Sequence, residues 1–206
     1  MVKTVRVYCE ASIELFQPIS LPMSGVHYLV NVMRRRKGDK VVIFDGRVGE
    51  FEAILKSASK KEVIVEPVQK LANLKKPGDI WIAFTPLKKD RTDFLIEKCT
   101  EIGTQRIIPV VTDYSTNRNP RIEKMKLLSI EAVEQCGGNF IPEISKSYTL
   151  KNFIAELPSD RYLIFCDEVS QGPAIRKVLK NEKLGRACLL IGPEGGFSPV
   201  ERQLIL

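Results

Sequence analysis

Histidine is almost missing from this chain: His27 is the only one in 206 residues. Chemistry that needs two imidazoles, such as the zinc site of a His-Glu-x-x-His metalloprotease, is excluded. Cysteine is present but unorganised. Cys9, Cys99, Cys136, Cys166 and Cys188 are odd in number, scattered, and form no Cys-x-x-Cys pair. That pattern argues against a disulfide scaffold or a zinc site, so no metal is expected, and it fits a reducing cytoplasm. No apolar run approaches the ~18 residues of a membrane span. The N-terminal Met1-Val2-Lys3-Thr4-Val5-Arg6 lacks the apolar core of a secretory signal. Internal repeats, low-complexity tracts and a Gly-Lys-[Ser/Thr] phosphate loop are also missing, which disfavours a nucleotide phosphotransferase.

What remains is a globular chain with a basic balance. Hydrophobic residues make up 44% and charged residues 28%, enough for a sizeable core over one or two domains. The net charge is +7, and over half of the excess falls in residues 1–70. An anionic partner, nucleic acid first, is the functional reading; a merely soluble basic surface is the bland one.

Along the chain, residues 1–70 read as short strands with one small helix. Val5–Cys9, Lys40–Phe44, a strand alternating at Phe51, Ala53 and Leu55, and Glu62–Val68 are strands, with a turn at Asp45-Gly46. Residues 24–33 read as a helix capped by Ser24, with Val26, Leu29, Val30 and Met33 on one face. Arg34, Arg35, Arg36 and Lys37 follow at its C-terminus. The helix dipole explains part of that cluster, and a phosphate-contacting patch explains all of it. Arg47 sits at a turn. Residues 71–78 read as a linker. From Asp79 strands and helices alternate: strands at Ile80–Thr85, Arg106–Val111, Arg161–Cys166 and Ala187–Ile191, and helices after Asp90, over 121–136 and over Pro173–Leu179. Pro109 predicts a short or edge-like strand. The alternation predicts an α/β domain over 79–206 with a mainly parallel sheet.

The densest signal is Leu190-Ile191-Gly192-Pro193-Glu194-Gly195-Gly196-Phe197-Ser198. A buried strand runs into a glycine loop, and Ser198-Pro199-Val200-Glu201 then forms a capping box that starts a helix. Strand, glycine loop and helix start make either a small-molecule loop or a tight structural turn. Glu194 either bonds a ligand or holds the loop through backbone N–H groups. Phe197 reads as core, and His27 as surface or RNA-facing. Glu134-Gln135-Cys136-Gly137, at the end of the long helix, is either a solvated face or a pocket lining.

Taken together, these segments resemble the RsmE-type 16S rRNA uracil-N3 methyltransferases of the SPOUT superfamily. The resemblance rests on Leu190–Ser198, Glu134–Gly137 with Asn139 and Pro142-Glu143-Ile144, Lys98 through Glu101-Ile102-Gly103, and His27, Val32-Met33-Arg34, Gly38-Asp39 and Phe44-Asp45-Gly46. It covers essentially the whole chain in order. It implies a PUA-like RNA-binding β-barrel in residues 1–70 and a SPOUT α/β domain with a trefoil knot in 79–206. It implies S-adenosylmethionine as methyl donor with S-adenosylhomocysteine as product, a homodimer, and 16S rRNA or the small ribosomal subunit as partner. The implied cofactor residues are Phe165, Leu190, Ile191, Gly192, Pro193, Glu194, Gly195 and Gly196. Catalytic positions are Glu134, Gln135 and Asn139; RNA contacts are His27, Arg34, Arg35, Arg36, Lys37, Arg47, Lys88 and Arg91. Members carry an arginine where this chain has Gly138, and they continue past Leu206, so the knot and cofactor site are expected to be incomplete in this stretch. The alternative reading is a non-catalytic RNA-binding protein.

Overall fold

The computed structural model describes residues 5–167, 175–180 and 185–206. The expected proline start of the helix at Pro173, and Glu168 after the Phe165 strand, lie outside the described residues. Contacts divide the chain into two units. One holds the residues up to Lys76 together with Ile130–Ile141, and the other holds Pro77–Ser129 and Pro142–Leu206.

In the first unit five strands, β1 (Arg6–Tyr8), β2 (Ile19–Ser20), β3 (Lys40–Phe44), β4 (Gly49–Ala58) and β5 (Val63–Asn73), form one sheet in the order β1-β3-β4-β5-β2. Only β1 and β3 are parallel. The alternation read from the sequence is physical: Phe51, Ala53 and Leu55 point inward and join Val7, Val41, Ile43, Val63 and Val65 in the core. Helix α1 (Met23–Val26) continues as wider π-helical turns over His27–Val32. Its N-cap is Pro22, which makes no side-chain cap bond, and not Ser24. The strand β5 runs to Asn73, so the start of the expected 71–78 linker is sheet.

In the second unit six strands pair in parallel: β6 (Ile80–Phe84), β7 (Arg106–Val111), β8 (Glu143–Ile144), β9 (Tyr148–Thr149), β10 (Tyr162–Cys166) and β11 (Ala187–Ile191). The order is β10-β11-β6-β7-β8, with β9 also on β7. The helices are α2 (Lys89–Glu101), α3 (Ile122–Cys136), α4 (Leu150–Glu156), α5 (Ile175–Leu179) and α6 (Pro199–Ile205). Side chains alternate across the sheet. Ile82, Phe84 and Ile107 pack with Ile96, Cys99 and Met125 on one face, whereas Ala83, Ile108, Val110 and Leu190 pack with Leu150 and Phe153 on the other. Full burial of a side chain such as Phe84 or Ile96 stabilises by roughly 1.5–3 kcal/mol.

The expectation that Pro109 makes β7 an edge is corrected. β7 is interior, with β6 on one side. On the other side β8 pairs with Arg106 and Ile107, and β9 with Val110 and Val111. The neighbouring strand is broken opposite residues 108–109, where a ladder would need the N–H that proline lacks. At the amino edge of the sheet Arg161, 6% exposed, binds the Asp79 and Ala187 carbonyls and the Asp79 carboxylate at 2.7–3.1 Å and lies 3.6 Å from the Trp81 ring centroid. That edge is sealed, and the carboxyl edge carries the loops.

Candidate active site

The carboxyl ends of β6, β7, β10 and β11 share one edge, where open α/β sheets place ligands. The Ile191 carbonyl accepts the Thr85 N–H at 3.0 Å, and the glycine loop begins there. A Cβ on Gly192 would lie 2.3 Å from the Phe197 ring. Gly196 has φ +71° and donates its N–H to the Pro193 carbonyl at 3.0 Å. The loop's own geometry therefore requires both of these glycines. Gly195 is different: a Cβ there meets only Tyr114, at 3.7 Å. The fold gives no reason for its bare backbone, but close approach of a ligand does.

Phe197 packs edge-on against Phe165, with 5.2 Å between centroids. The capping box is present: Ser198 Oγ accepts the Glu201 N–H at 3.3 Å and Glu201 Oε2 accepts the Ser198 N–H at 3.0 Å. The same two side chains hold the loop after β7. Glu201 Oε1 accepts the Asp113 N–H at 2.9 Å, and Ser198 Oγ donates to Asp113 Oδ2 at 2.6 Å. Arg202 grips Asp167 through two bonds of 2.6 Å, a bidentate pair that ties α6 to the end of β10. Between these parts lies a cleft of about 120 Å³. Ile191, Pro193 and Phe197 give it apolar walls, and Cys166 and Asp167 line its far side. A slot of mixed lining, apolar on one side and with Asp167 and Arg202 among its polar groups, suits a flat heteroaromatic ring that also carries hydrogen-bonding groups.

Of the expected cofactor residues, Phe165 and Ile191 through Gly196 gather around this cleft and loop, while Leu190 is fully buried in the strand beneath. Glu194 pairs with Arg91 on the first turn of α2. Both side chains are exposed, so the pair contributes about 0–1 kcal/mol. The N-cap of α2 is Lys88, and Asp90, the expected cap, is inside the first turn. Thr92 Oγ1 serves that end instead, accepting from the Leu87 N–H and donating to the Leu87 carbonyl, both at 3.0 Å. Lys88 lines a second, larger basin of about 600 Å³.

The expected RNA contacts of the first unit are mostly at its surface. His27, Arg34, Arg36 and Lys37 are exposed and Arg35 is half-buried. Arg34 has φ +53°, a left-handed conformation that costs a non-glycine residue roughly 1–2 kcal/mol. Arg47 is partly committed to structure: it donates to the Glu10 carbonyl at 2.6 Å and sits 3.5 Å from Asp45.

Glu134, Gln135 and Asn139 belong to the first unit, and the glycine loop belongs to the second. Glu134 Oε1 accepts the Tyr8 N–H at 2.9 Å. Asn139, 6% exposed, accepts from the Lys75 N–H and donates to the Asn73 carbonyl, both at 3.0 Å. These two side chains hold backbone, and Gln135 is exposed. Burial raises the Glu134 pKa, against the lowering effect of the Tyr8 hydrogen bond and of Arg6.

Sequence reasoning missed Tyr114, Asp113, Arg121, Lys124 and Arg202. Their partners lie at long sequence separation, so no local spacing marks them. Only the Asp113-Tyr114 loop carried a hint, as a polar turn directly after a strand.

The family model for an RNA methyltransferase domain matches residues 74–206, and the model for the RNA methyltransferase PUA domain matches residues 24–68. The "Ribosomal RNA small subunit methyltransferase E" of Buchnera aphidicola subsp. Schizaphis graminum is 30% identical over 98% of this chain and 83% of its own length. A methyltransferase structure from Legionella pneumophila with bound S-adenosylmethionine has a TM-score of 0.84 at 27% identity, covering 98% of this chain and 85% of that one. The S-adenosylmethionine-bound small-subunit methyltransferase E of Neisseria gonorrhoeae shares the fold with a TM-score of 0.89 at 22% identity, over 98% of this chain and 84% of its own.

Proposed function

Because this chain belongs to the RsmE-type family of ribosomal RNA methyltransferases, we propose that it transfers a methyl group from S-adenosylmethionine to small-subunit ribosomal RNA, and that the acceptor is N3 of a uridine in 16S rRNA. The observation that carries the reading is Gly195: a bare backbone position, unneeded by the fold, at the carboxyl edge of a parallel sheet. Phe197, Ile191 and Pro193 offer the apolar walls for the adenine, with Phe165 packed against Phe197, and Gly192 to Gly196 offer backbone N–H and C=O groups. S-adenosylmethionine bound there supplies an electrophilic methyl on its sulfonium. The remaining task of the chain is positioning and charge stabilisation. N3 of uracil must lose a proton before it attacks, and the resulting charge spreads onto the ring oxygens, where N–H donors and cations stabilise it.

Arg91 holds the cofactor loop through Glu194, and Lys88 stands beside it. Glu134, Gln135 and Asn139 belong in this reading to the target-binding surface, with Glu134 bound to the Tyr8 N–H and Asn139 to the backbone of Asn73 and Lys75. His27, Arg34, Arg35, Arg36, Lys37 and Arg47 bind RNA phosphates on the PUA-like unit. The knotted SPOUT topology, homodimeric assembly, a cytoplasmic setting and action on the ribosomal subunit are part of the same proposal.

Calorimetry with S-adenosylhomocysteine tests it. The protein binds the product saturably, and Gly195→Ala weakens binding by about tenfold, near 1.4 kcal/mol, while Tm stays unchanged. No binding by the wild-type protein leaves the non-catalytic RNA-binding reading in its place.

A further inference from the structure

The larger basin lies over the loops that follow β6 and β7, at the starts of α2 and α3. At about 600 Å³ it exceeds what one phosphate needs, and its lining is mixed: Leu87 and Met125 are apolar, and Lys88, Asp93, Arg121 and Lys124 are charged. Lys124 pairs with Asp93. Among the described residues Lys88 and Arg121 have no ion-pair partner, so the basin carries two uncompensated cations. Lys88 is the N-cap of α2 and Arg121 immediately precedes α3. Helices of thirteen and fifteen residues thus start at the basin, and both dipoles favour an anion there.

Tyr114 lies on the loop after β7, which further along lines the basin, and it touches the glycine loop. Its Cβ is 3.7 Å from where a Cβ on Gly195 would be, and it is 51% exposed. The backbone around it is fixed: Asp113 is bound by Glu201 and Ser198, and the Thr112 N–H donates to Ser115 Oγ at 2.7 Å. An exposed aromatic ring on a rigid loop that continues into a basin lined by unpaired cations is an arrangement suited to single-stranded nucleic acid.

We propose that this basin holds the single-stranded RNA segment bearing the acceptor base, with Lys88 and Arg121 on its phosphates and Tyr114 stacked on a base next to the cofactor loop. The inference rests on the methyltransferase reading and adds where in the second unit the acceptor strand lies.

Fluorescence anisotropy with a labelled single-stranded oligouridylate, read across a salt series, tests it. The Lys88→Ala/Arg121→Ala variant should bind more weakly, with a log–log salt slope shallower by about 1.4, since each single-strand phosphate contact contributes about 0.7. Tyr114→Ala should lose about tenfold in affinity, and Tyr114→Phe, which keeps the ring, should restore it. S-adenosylhomocysteine affinity stays at the wild-type value in the Lys88/Arg121 variant and in Tyr114→Phe, which shows that the fold is intact. Unchanged affinity and slope in that double variant would overturn the proposal. So would uridine 5′-monophosphate binding as tightly as the oligomer, which makes the basin a free-nucleotide site. Failure of the wild-type protein to bind S-adenosylhomocysteine would count against the methyltransferase reading alone, because the oligouridylate result does not depend on it.

Discussion

Arg161 and Glu134 are both charged groups withdrawn from water, and they are treated differently. Arg161 finds carbonyls, a carboxylate and the Trp81 face. Glu134 finds one backbone N–H and remains burdened by desolvation, which lifts its pKa. The raised value gives a pH dependence of definite sign. The unfolded chain loses this proton first, near pH 4.3, so stability falls as pH rises from there to the folded-state value. Glu134→Gln keeps an acceptor for Tyr8 and has no proton to lose. Its Tm relative to wild type should therefore rise as the pH is raised from about 4.3 through the folded-state value, and a pH-independent difference would contradict the assignment. The thiols tell a simpler story. Burial pushes Cys9 up to about 12 and Cys99 and Cys188 up to about 11, so none of the three is a nucleophile at neutral pH.

Helix α6 shows how one short element can organise a site. A helix of seven residues is marginal alone, yet its Glu201 closes the capping box and also binds the loop after β7. Glu201→Ala should destabilise by about 1–3 kcal/mol, the range of a lost cap plus an orphaned N–H, measured by urea denaturation; a loss under about 0.5 kcal/mol would show that the Asp113 contact carries no weight. This helix start was legible because Ser-Pro-x-Glu is a local signal. So were β3, β7 and β11, whose apolar runs match the observed strands. The four short elements β2, β8, β9 and α4 were not. Two-residue strands exist only through their pairing with distant segments, and α4 is too short for a helical period. Its single local mark is Thr149, which accepts the Asn152 N–H at 3.3 Å. The glycine loop was legible for the same reason as α6, whereas Tyr114 and Arg202 acquire meaning only once β7 and β10 are placed on the same sheet edge.

At the scale of the whole chain, the two units divide the work. The first matches a PUA domain model and exposes Arg34 and Arg36, and in the proposed function it is the RNA-binding unit. The second is a parallel α/β sheet whose amino edge is closed by Arg161, Arg186 and Asp79 and whose carboxyl edge bears the cleft, the glycine loop and the basin. No helix among the described residues is long and apolar enough to cross a membrane. The central claim is methyl transfer to a uridine of small-subunit RNA. It is tested most directly by incubating the protein with methyl-labelled S-adenosylmethionine and small ribosomal subunits lacking the modification, then digesting the RNA to nucleosides for mass spectrometry. Label is expected in N3-methyluridine, abolished by excess S-adenosylhomocysteine. Label in any other nucleoside, or none in RNA despite measured cofactor binding, would contradict it.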